Sequence, residues 1–434
     1  MVVPTIFALS SGSTPSGVAV IRISGPSAFD IVGWMAGPLN RTRGMNLRTI
    51  RDRNNSKIDQ GLILTFPGPA SFTGEDCVEL QVHGGRAIVA AISRELLELG
   101  CVAAEAGEFT RRAFSNGKMD LVEVEGLGDL IAADTEMQRR LAIEQASGGL
   151  SSLYQNWANR LTHARAMIEA ELDFADEEDV PGSVSDRIWP DISLLHREIL
   201  KQVTATQSGR LVRDGFNVVI AGPPNAGKSS LINALSGRDV AIVTSVAGTT
   251  RDLIEVELDM DGFLVRLVDT AGIRETDDVV EREGVRRARR AIESADLVLD
   301  LSEIDSLAEQ MSFLTDAKRL RVGTKADLHP AEDTRYDACI SVSLPQTIDH
   351  LRSLILQELK QSWEAISSLG AGRLRHISHL QQASNFIEDG LKQSDIVLKA
   401  ESLRLASDEL GRITGRVDVE DLLGVIFSEF CIGK

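Results

Sequence analysis

The segment Gly222 to Ser229, GPPNAGKS, fits the pattern GxxxxGK[ST], and it restricts what this chain can fold into more than any other feature. It lies between a strand-like run, FNVVIAG, and a helix-like run, SSLINAL. A loop of this kind needs glycines so that backbone N–H groups can curl around a phosphate without Cβ obstruction. It also needs a helix N-terminus behind it, whose partial positive charge faces the anion. The pattern therefore implies an α/β unit in which Lys228 reaches the β- and γ-phosphates of a nucleotide and Ser229 ligates Mg²⁺. The bland alternative, a glycine-rich turn, leaves the strand and helix context unexplained.

The surrounding sequence extends that unit. LIEVELDM, FLVRLVDTAG, a helix over 285–293, LVLDL, LRVGTKADL, ACISVSL and a helix over 347–360 alternate strand and helix patterns. This alternation predicts a mostly parallel sheet covered on both faces. Three further motifs follow the loop: GTTRD from Gly248, DTAG from Asp269 and TKAD from Thr324. Their order and spacing are those of a GTPase. Thr250 is expected to complete the Mg²⁺ shell and Asp269 to hold the ion through water. Asp327 is expected to accept from the N1–H and N2 amino group of guanine, with the stem of Lys325 against the base. Guanine-reading motifs usually begin with Asn; here Thr324 lacks the amide, and Ser343-Leu344 stands where Ser-Ala is usual.

Residues 1 to about 119 read as a small α+β domain. In GVAVIRISG, Val18, Val20 and Arg22 share one face and Ala19, Ile21 and Ile23 the other; Val78, Leu80 and Val82 oppose Glu79, Gln81 and His83 in the same way, and a helix runs from Arg86 to Leu99. From about Lys118 to Arg213, and again after about Gly370, the texture is helical, with Leu374 to near Gly411 as one long stretch and Val419 to Phe430 after it. The α/β unit thus interrupts helical sequence. Among 434 residues, 46 are Lys or Arg and 64 Asp or Glu, a formal charge of −18. That balance argues against a protein that coats nucleic acid, which depends on neutralising phosphates. One local exception is Arg41 to Lys57, with six basic residues and only Asp52, a charge of +5 that suits a nucleic-acid contact or a basic loop. No apolar run approaches the roughly 18 residues of a membrane span, so a soluble cytoplasmic protein with no membrane role is expected. The four cysteines, Cys77, Cys101, Cys339 and Cys431, are too scattered for a disulfide scaffold or zinc ribbon. His376 and His379 lack a further His or Cys for a metal set.

SFTGEDCVELQVHGG, GEFTRRAFSNGKMDL and the final CIGK (Cys431 to Lys434), together with the nucleotide motifs, resemble the signatures of the MnmE (TrmE) family of tRNA-modification GTPases. The similarity runs over essentially the whole chain. It implies a multidomain α+β and α/β fold: an N-terminal α+β folate-binding and dimerisation domain (1–119), a helical domain in two segments (120–213 and 363–434), and an inserted Ras-like P-loop GTPase domain (214–362). The resemblance also implies a K⁺-stimulated GTPase that forms a homodimer. With the flavoprotein MnmG (GidA), in a heterotetramer, it would add a carboxymethylaminomethyl or aminomethyl group at C5 of the wobble uridine of certain tRNAs. The one-carbon unit would come from 5,10-methylene- or 5-formyl-tetrahydrofolate, with FAD and NADH on the partner.

Carried over residue by residue, the GTP site would comprise Asn225, Ala226, Gly227, Lys228, Ser229, Ser230, Thr244, Ser245, Val246, Ala247, Gly248, Thr249, Thr250, Asp269, Thr270, Ala271, Gly272, Thr324, Lys325 and Asp327. Ser229 and Thr250 would ligate Mg²⁺; Asn225, Thr244, Val246 and Thr249 would supply oxygens to K⁺, which takes the place of an arginine finger. No glutamine follows the DTAG motif, and Glu281 falls at the family's catalytic position, with Glu283 as its rival. The folate site would comprise Arg22, Glu79, Lys118 and Lys434, and Cys431 would lie near the one-carbon chemistry. Two other classes compete: a ribosome-assembly GTPase switch, for which no appended RNA-binding module is visible, and a folate-dependent aminomethyl transferase, which leaves the GTPase unit unexplained.

Overall fold

The computed structural model describes residues 3–173, 188–242, 254–269, 290–304, 317–329, 334–364, 372–417, 423–424, 426–427, 430 and 433. Packing divides the chain into two units. The first comprises Met1–Gly128, Ser151–Gln155 and Leu410–Lys434, and the second Asp129–Leu150 and Asn156–Glu409.

The first unit is built on six strands, β1 (Ile6–Leu9), β2 (Ser16–Ser24), β3 (Gly44–Arg51), β4 (Lys57–Phe66), β5 (Cys77–Gly84) and β6 (Val102–Ala103), in the order β3-β4-β5-β2-β1-β6. All neighbours are antiparallel except β1 and β6. The period-two pattern decides the faces. Ala19, Ile21 and Ile23 of β2 and Val78, Leu80 and Val82 of β5 are buried beneath the helices Ala28–Ala36 and Arg86–Glu98, where they meet Phe29, Val32, Ile92 and Leu96. Burial of a side chain of this size contributes about 1.5–3 kcal/mol relative to exposure, so a one-residue register slip in either strand would forfeit several such terms at once. On the opposite face, Val18, Met45 and Leu47 are exposed.

The second unit carries a seven-stranded sheet: β7 (Phe216–Ala221), β8 (Val240–Ile242), β9 (Ile254–Met260), β10 (Phe263–Asp269), β11 (Leu297–Glu303), β12 (Lys318–Thr324) and β13 (Ala338–Ile340), in the order β13-β12-β11-β7-β10-β9-β8. The five strands from β13 to β10 run parallel, as the alternating pattern implies, while β9 is antiparallel to both β10 and β8. The reason is local. Asp261 and Gly262 both have positive φ, 53° and 86°, which makes a two-residue hairpin of the Asp-Gly kind, too short for a crossover.

The helices Trp189–Asp214 and Leu374–Lys392 precede and follow this sheet in sequence and pack against each other. The α/β unit is thus inserted into helical structure. The stretch expected to be one helix from Leu374 to near Gly411 is instead two, Leu374–Lys392 and Ile396–Thr414. Asp395 is responsible: its Oδ1 accepts from the backbone N–H of Val397 at 2.8 Å and of Leu398 at 3.4 Å, the geometry of a helix N-cap. His379 then joins the pair, its Nδ1 lying 2.7 Å from Oε2 of buried Glu409. Among the described residues no helix is long and apolar enough to cross a membrane.

Candidate functional site

At the carboxyl end of β7 the chain enters the loop 222–227 and then the helix Lys228–Ser236. Strand β7 is flanked by β10 on one side and β11 on the other, so the loop opens where an α/β sheet commonly receives its ligand. Gly222 has φ +146°, and a Cβ there would collide with the carbonyl oxygen of Leu301. Glycine is therefore required for the loop to lie this close to β11. Asn225 adopts φ 63°, a left-handed conformation that Asn tolerates better than most residues.

Lys228 is only 7% exposed, and its Nζ donates to the carbonyl oxygens of Gly222 at 2.9 Å and Pro223 at 3.0 Å. Burial lowers the pKa of this ammonium, while Asp269 opposes the shift. Ser229 Oγ donates to Asp269 Oδ2 at 3.1 Å. Asp269 is 3% exposed, and its other oxygen, Oδ1, is buried without a hydrogen-bond partner among the described residues. A buried carboxylate oxygen left open, beside a hydroxyl on the same carboxylate, is a set of hard oxygen donors that suits Mg²⁺.

At the end of β12, Thr324 is 5% exposed and its hydroxyl donates to Ser302 O at 3.3 Å. Its methyl Cγ2 lies toward Gly227, 3.9 Å from where a Cβ would stand. The Thr side chain thus stands beside the phosphate loop without an amide to donate. Lys325 has φ 62°, and its Nζ pairs with Glu303 Oε2 at 2.6 Å. Asp327 is exposed one turn beyond. Ala226, Gly227 and Ser230 complete the described part of the nucleotide site. Thr244, Ser245, Val246, Ala247, Gly248, Thr249, Thr250, Thr270, Ala271, Gly272, Glu281 and Glu283 lie outside the described residues.

In the first unit, Arg22 on β2 stands opposite Glu79 on β5, and Nε donates to Oε1 at 2.9 Å. The guanidinium lies 5.3 Å from the ring centroid of Phe72 and 5.7 Å from that of Phe109. A half-buried cation between two aromatic rings, with a carboxylate beside it, suits a flat heterocycle with an acidic tail. Lys118 Nζ donates to Pro69 O at 3.0 Å, on the loop that also carries Phe72. Lys434 and Cys431 lie outside the described residues, but Gly433 accepts from Ser10 Oγ at 2.7 Å and sits against Leu9.

A family model described as the MnmE helical domain matches residues 121–431, and one described as the GTP-binding protein TrmE N-terminus matches residues 5–118. The chain belongs to the MnmE family. The tRNA modification GTPase MnmE of Sinorhizobium medicae (strain WSM419) is 56% identical over 435 residues, covering 99% of each chain. The protein of that name from Rhizobium meliloti (strain 1021) is 57% identical over 440 residues, again with 99% of each covered. Among solved structures, the G domain of the T. maritima FeoB iron transporter is 22% identical, covering 33% of this chain and 98% of that one at a TM-score of 0.25.

The two N-terminal blocks that carry the MnmE resemblance are distant in sequence and adjacent in space. Arg112 Nη1 donates to Glu75 at 3.0 and 3.3 Å, and Arg112 Nη2 to Glu108 at 2.9 Å. Asn116 Nδ2 donates to Thr73 O at 2.7 Å, and Ser24 Oγ donates to Glu75 Oε2 at 2.8 Å. Phe72 and Phe109, which flank Arg22, and Glu75 and Arg112, which tie the two blocks together, were not singled out from the sequence. Their signal was available in retrospect: charged residues inside buried segments, which need partners.

Proposed function

We propose that this MnmE-family chain is a GTP hydrolase acting in tRNA modification, in which nucleotide turnover drives the addition of a carboxymethylaminomethyl or aminomethyl group at C5 of the wobble uridine. The observation that carries the hydrolase reading is the Ser229–Asp269 pair beneath the phosphate loop, with Asp269 Oδ1 buried and open. The tRNA reading is supported by relatives of more than half identity over nearly the whole chain, each named tRNA modification GTPase MnmE. The domains would run 1–119, 120–213 with 363–434, and 214–362.

In the hydrolytic step, the backbone N–H groups of 222–229 cradle the phosphates and Lys228 exchanges its two loop carbonyls for phosphate oxygens. Ser229 and Thr250 would hold Mg²⁺, with Asp269 behind them, and the ion would supply positive charge to the phosphates when bound. Asn225, Thr244, Val246 and Thr249 would offer oxygens to K⁺, which would supply positive charge there when bound. Glu281 orients the attacking water, and Asp327 selects guanine. Arg22, Glu79, Lys118 and Lys434 bind a tetrahydrofolate one-carbon donor, and Cys431 lies near it. This assignment is supported by the return of Gly433 to Leu9 and Ser10 in the same unit as Arg22. MnmG is the partner that brings FAD and NADH. The homodimer is supported by the exposed Val18 and Met45 of the open sheet face, which a second copy would cover.

Mass spectrometry of tRNA nucleosides from a strain lacking this protein tests the function. Loss of the modified wobble uridine, restored by the wild-type gene, is expected. An unchanged profile would overturn it in favour of a ribosome-assembly switch.

A further inference from the structure

The edge strand β3 and the turn that follows it border an open cleft of about 610 Å³ whose lining includes Trp34, Arg48, Arg51, Asp52 and Arg53. The groups in it are unequally committed. Arg53 is neutralised by Glu95 at 3.4 Å and Glu98 at 3.3 Å. Asp52 is spent within the turn, its Oδ1 accepting from the N–H of Asn54 at 2.9 Å and of Ser56 at 2.8 Å. Arg51 donates only to Asn55 O, at 2.9 Å, and faces no carboxylate among the described residues. Arg48 lines the cleft half-buried, and no carboxylate pairs with it among the described residues. A guanidinium without a counter-charge is open to an anionic ligand. In the same cleft lining, the indole of Trp34 is 52% exposed and open to a stacking partner.

We infer that this cleft is a contact site for an unpaired RNA segment, with Arg48 and Arg51 on phosphate and the Trp34 indole stacked on a base. The guanidinium fork matches phosphate oxygens, and an aromatic plate accepts any base face. An acidic peptide would satisfy the arginines but has no flat group for the indole. Unpaired RNA offers both within one nucleotide step, and RNA is read mainly at such unstacked positions. The site also reconciles a charge of −18 with an RNA substrate, because six basic residues against one acid stand together between Arg41 and Lys57. It rests on the tRNA reading proposed above and adds the surface that does the touching.

The test measures binding of an unmodified tRNA transcript and a single-stranded RNA oligomer to the full chain by fluorescence anisotropy at several salt concentrations. The double variant Arg48→Ala, Arg51→Ala is expected to weaken both about tenfold or more and to flatten the salt dependence by about one to two phosphate contacts. Trp34→Ala is expected to weaken both about tenfold while leaving the salt slope unchanged. GTP hydrolysis should be unaltered in all, and because these residues lie in the first unit, an unchanged far-UV circular dichroism spectrum and thermal unfolding profile report that the variants fold. Equal RNA binding by wild type and variants, or a wild type that binds neither RNA, would overturn the inference. So would variants that lose only an acidic peptide probe. If the deletion strain still lacks the modified wobble uridine when the surface variants bind RNA normally, the cleft is wrong and the function stands.

Discussion

Glu281 is the residue on which the hydrolytic proposal is most exposed. With Asp269 committed to Ser229 and no glutamine after the DTAG motif, the chain needs a separate group to orient water. Glu281→Ala should bind GTP with little change and lose hydrolysis by at least about 100-fold, the scale of removing a positioned general base. Single-turnover kinetics check this, and near-normal turnover would transfer the role to Glu283. The thiols divide by environment. Burial pushes Cys101 up to about 11, so at pH 8 it is almost wholly neutral and a poor nucleophile. Iodoacetamide at that pH should leave Cys101 unlabelled in the native protein and modify it once the chain is unfolded, as peptide mapping would show. Arg22 shows how far a single residue is legible. The alternation places it at the end of the row Val18-Val20 where an apolar residue would fit, yet nothing local announces that Phe72 and Phe109 flank it.

At the scale of elements, the helix Glu136–Ala146 illustrates a local rule that holds. Thr135 accepts from Gln138 N at 3.5 Å while Gln138 Oε1 accepts from Thr135 N at 3.0 Å, a reciprocal capping box. Met137 N donates to Gly262 O at 3.0 Å, so the first turn of this helix also meets the β9–β10 hairpin. Thr135→Ala should cost about 1 kcal/mol of stability, measured by urea unfolding, with GTP affinity unchanged. The break at Asp395 illustrates the opposite case. A helical period continues through it, and the cap is recognised only when the side chain is seen to turn onto Val397 N. The Asp-Gly hairpin falls between, being written in two residues but decisive only because it makes β9 antiparallel in an otherwise parallel run.

For the whole molecule, the proposed hydrolysis depends on a monovalent ion that Asn225, Thr244, Val246 and Thr249 would hold. Replacing K⁺ with Na⁺ at constant ionic strength should slow GTP hydrolysis at least tenfold, read as phosphate release; equal rates in the two salts would remove the ion from the mechanism. The sequence alone determined the element types and the inserted P-loop unit, because glycine placement, hydrophobic period and motif order are constraints within a few residues of each other. The texture of helices on either side was equally plain. What only the tertiary structure decided was which distant segments meet: Trp189–Asp214 with Leu374–Lys392, Glu75 with Arg112, Gly433 with Ser10. Those contacts span tens to hundreds of residues, and they are set by complementary faces and by buried charges that must find partners, properties carried by no single stretch of chain.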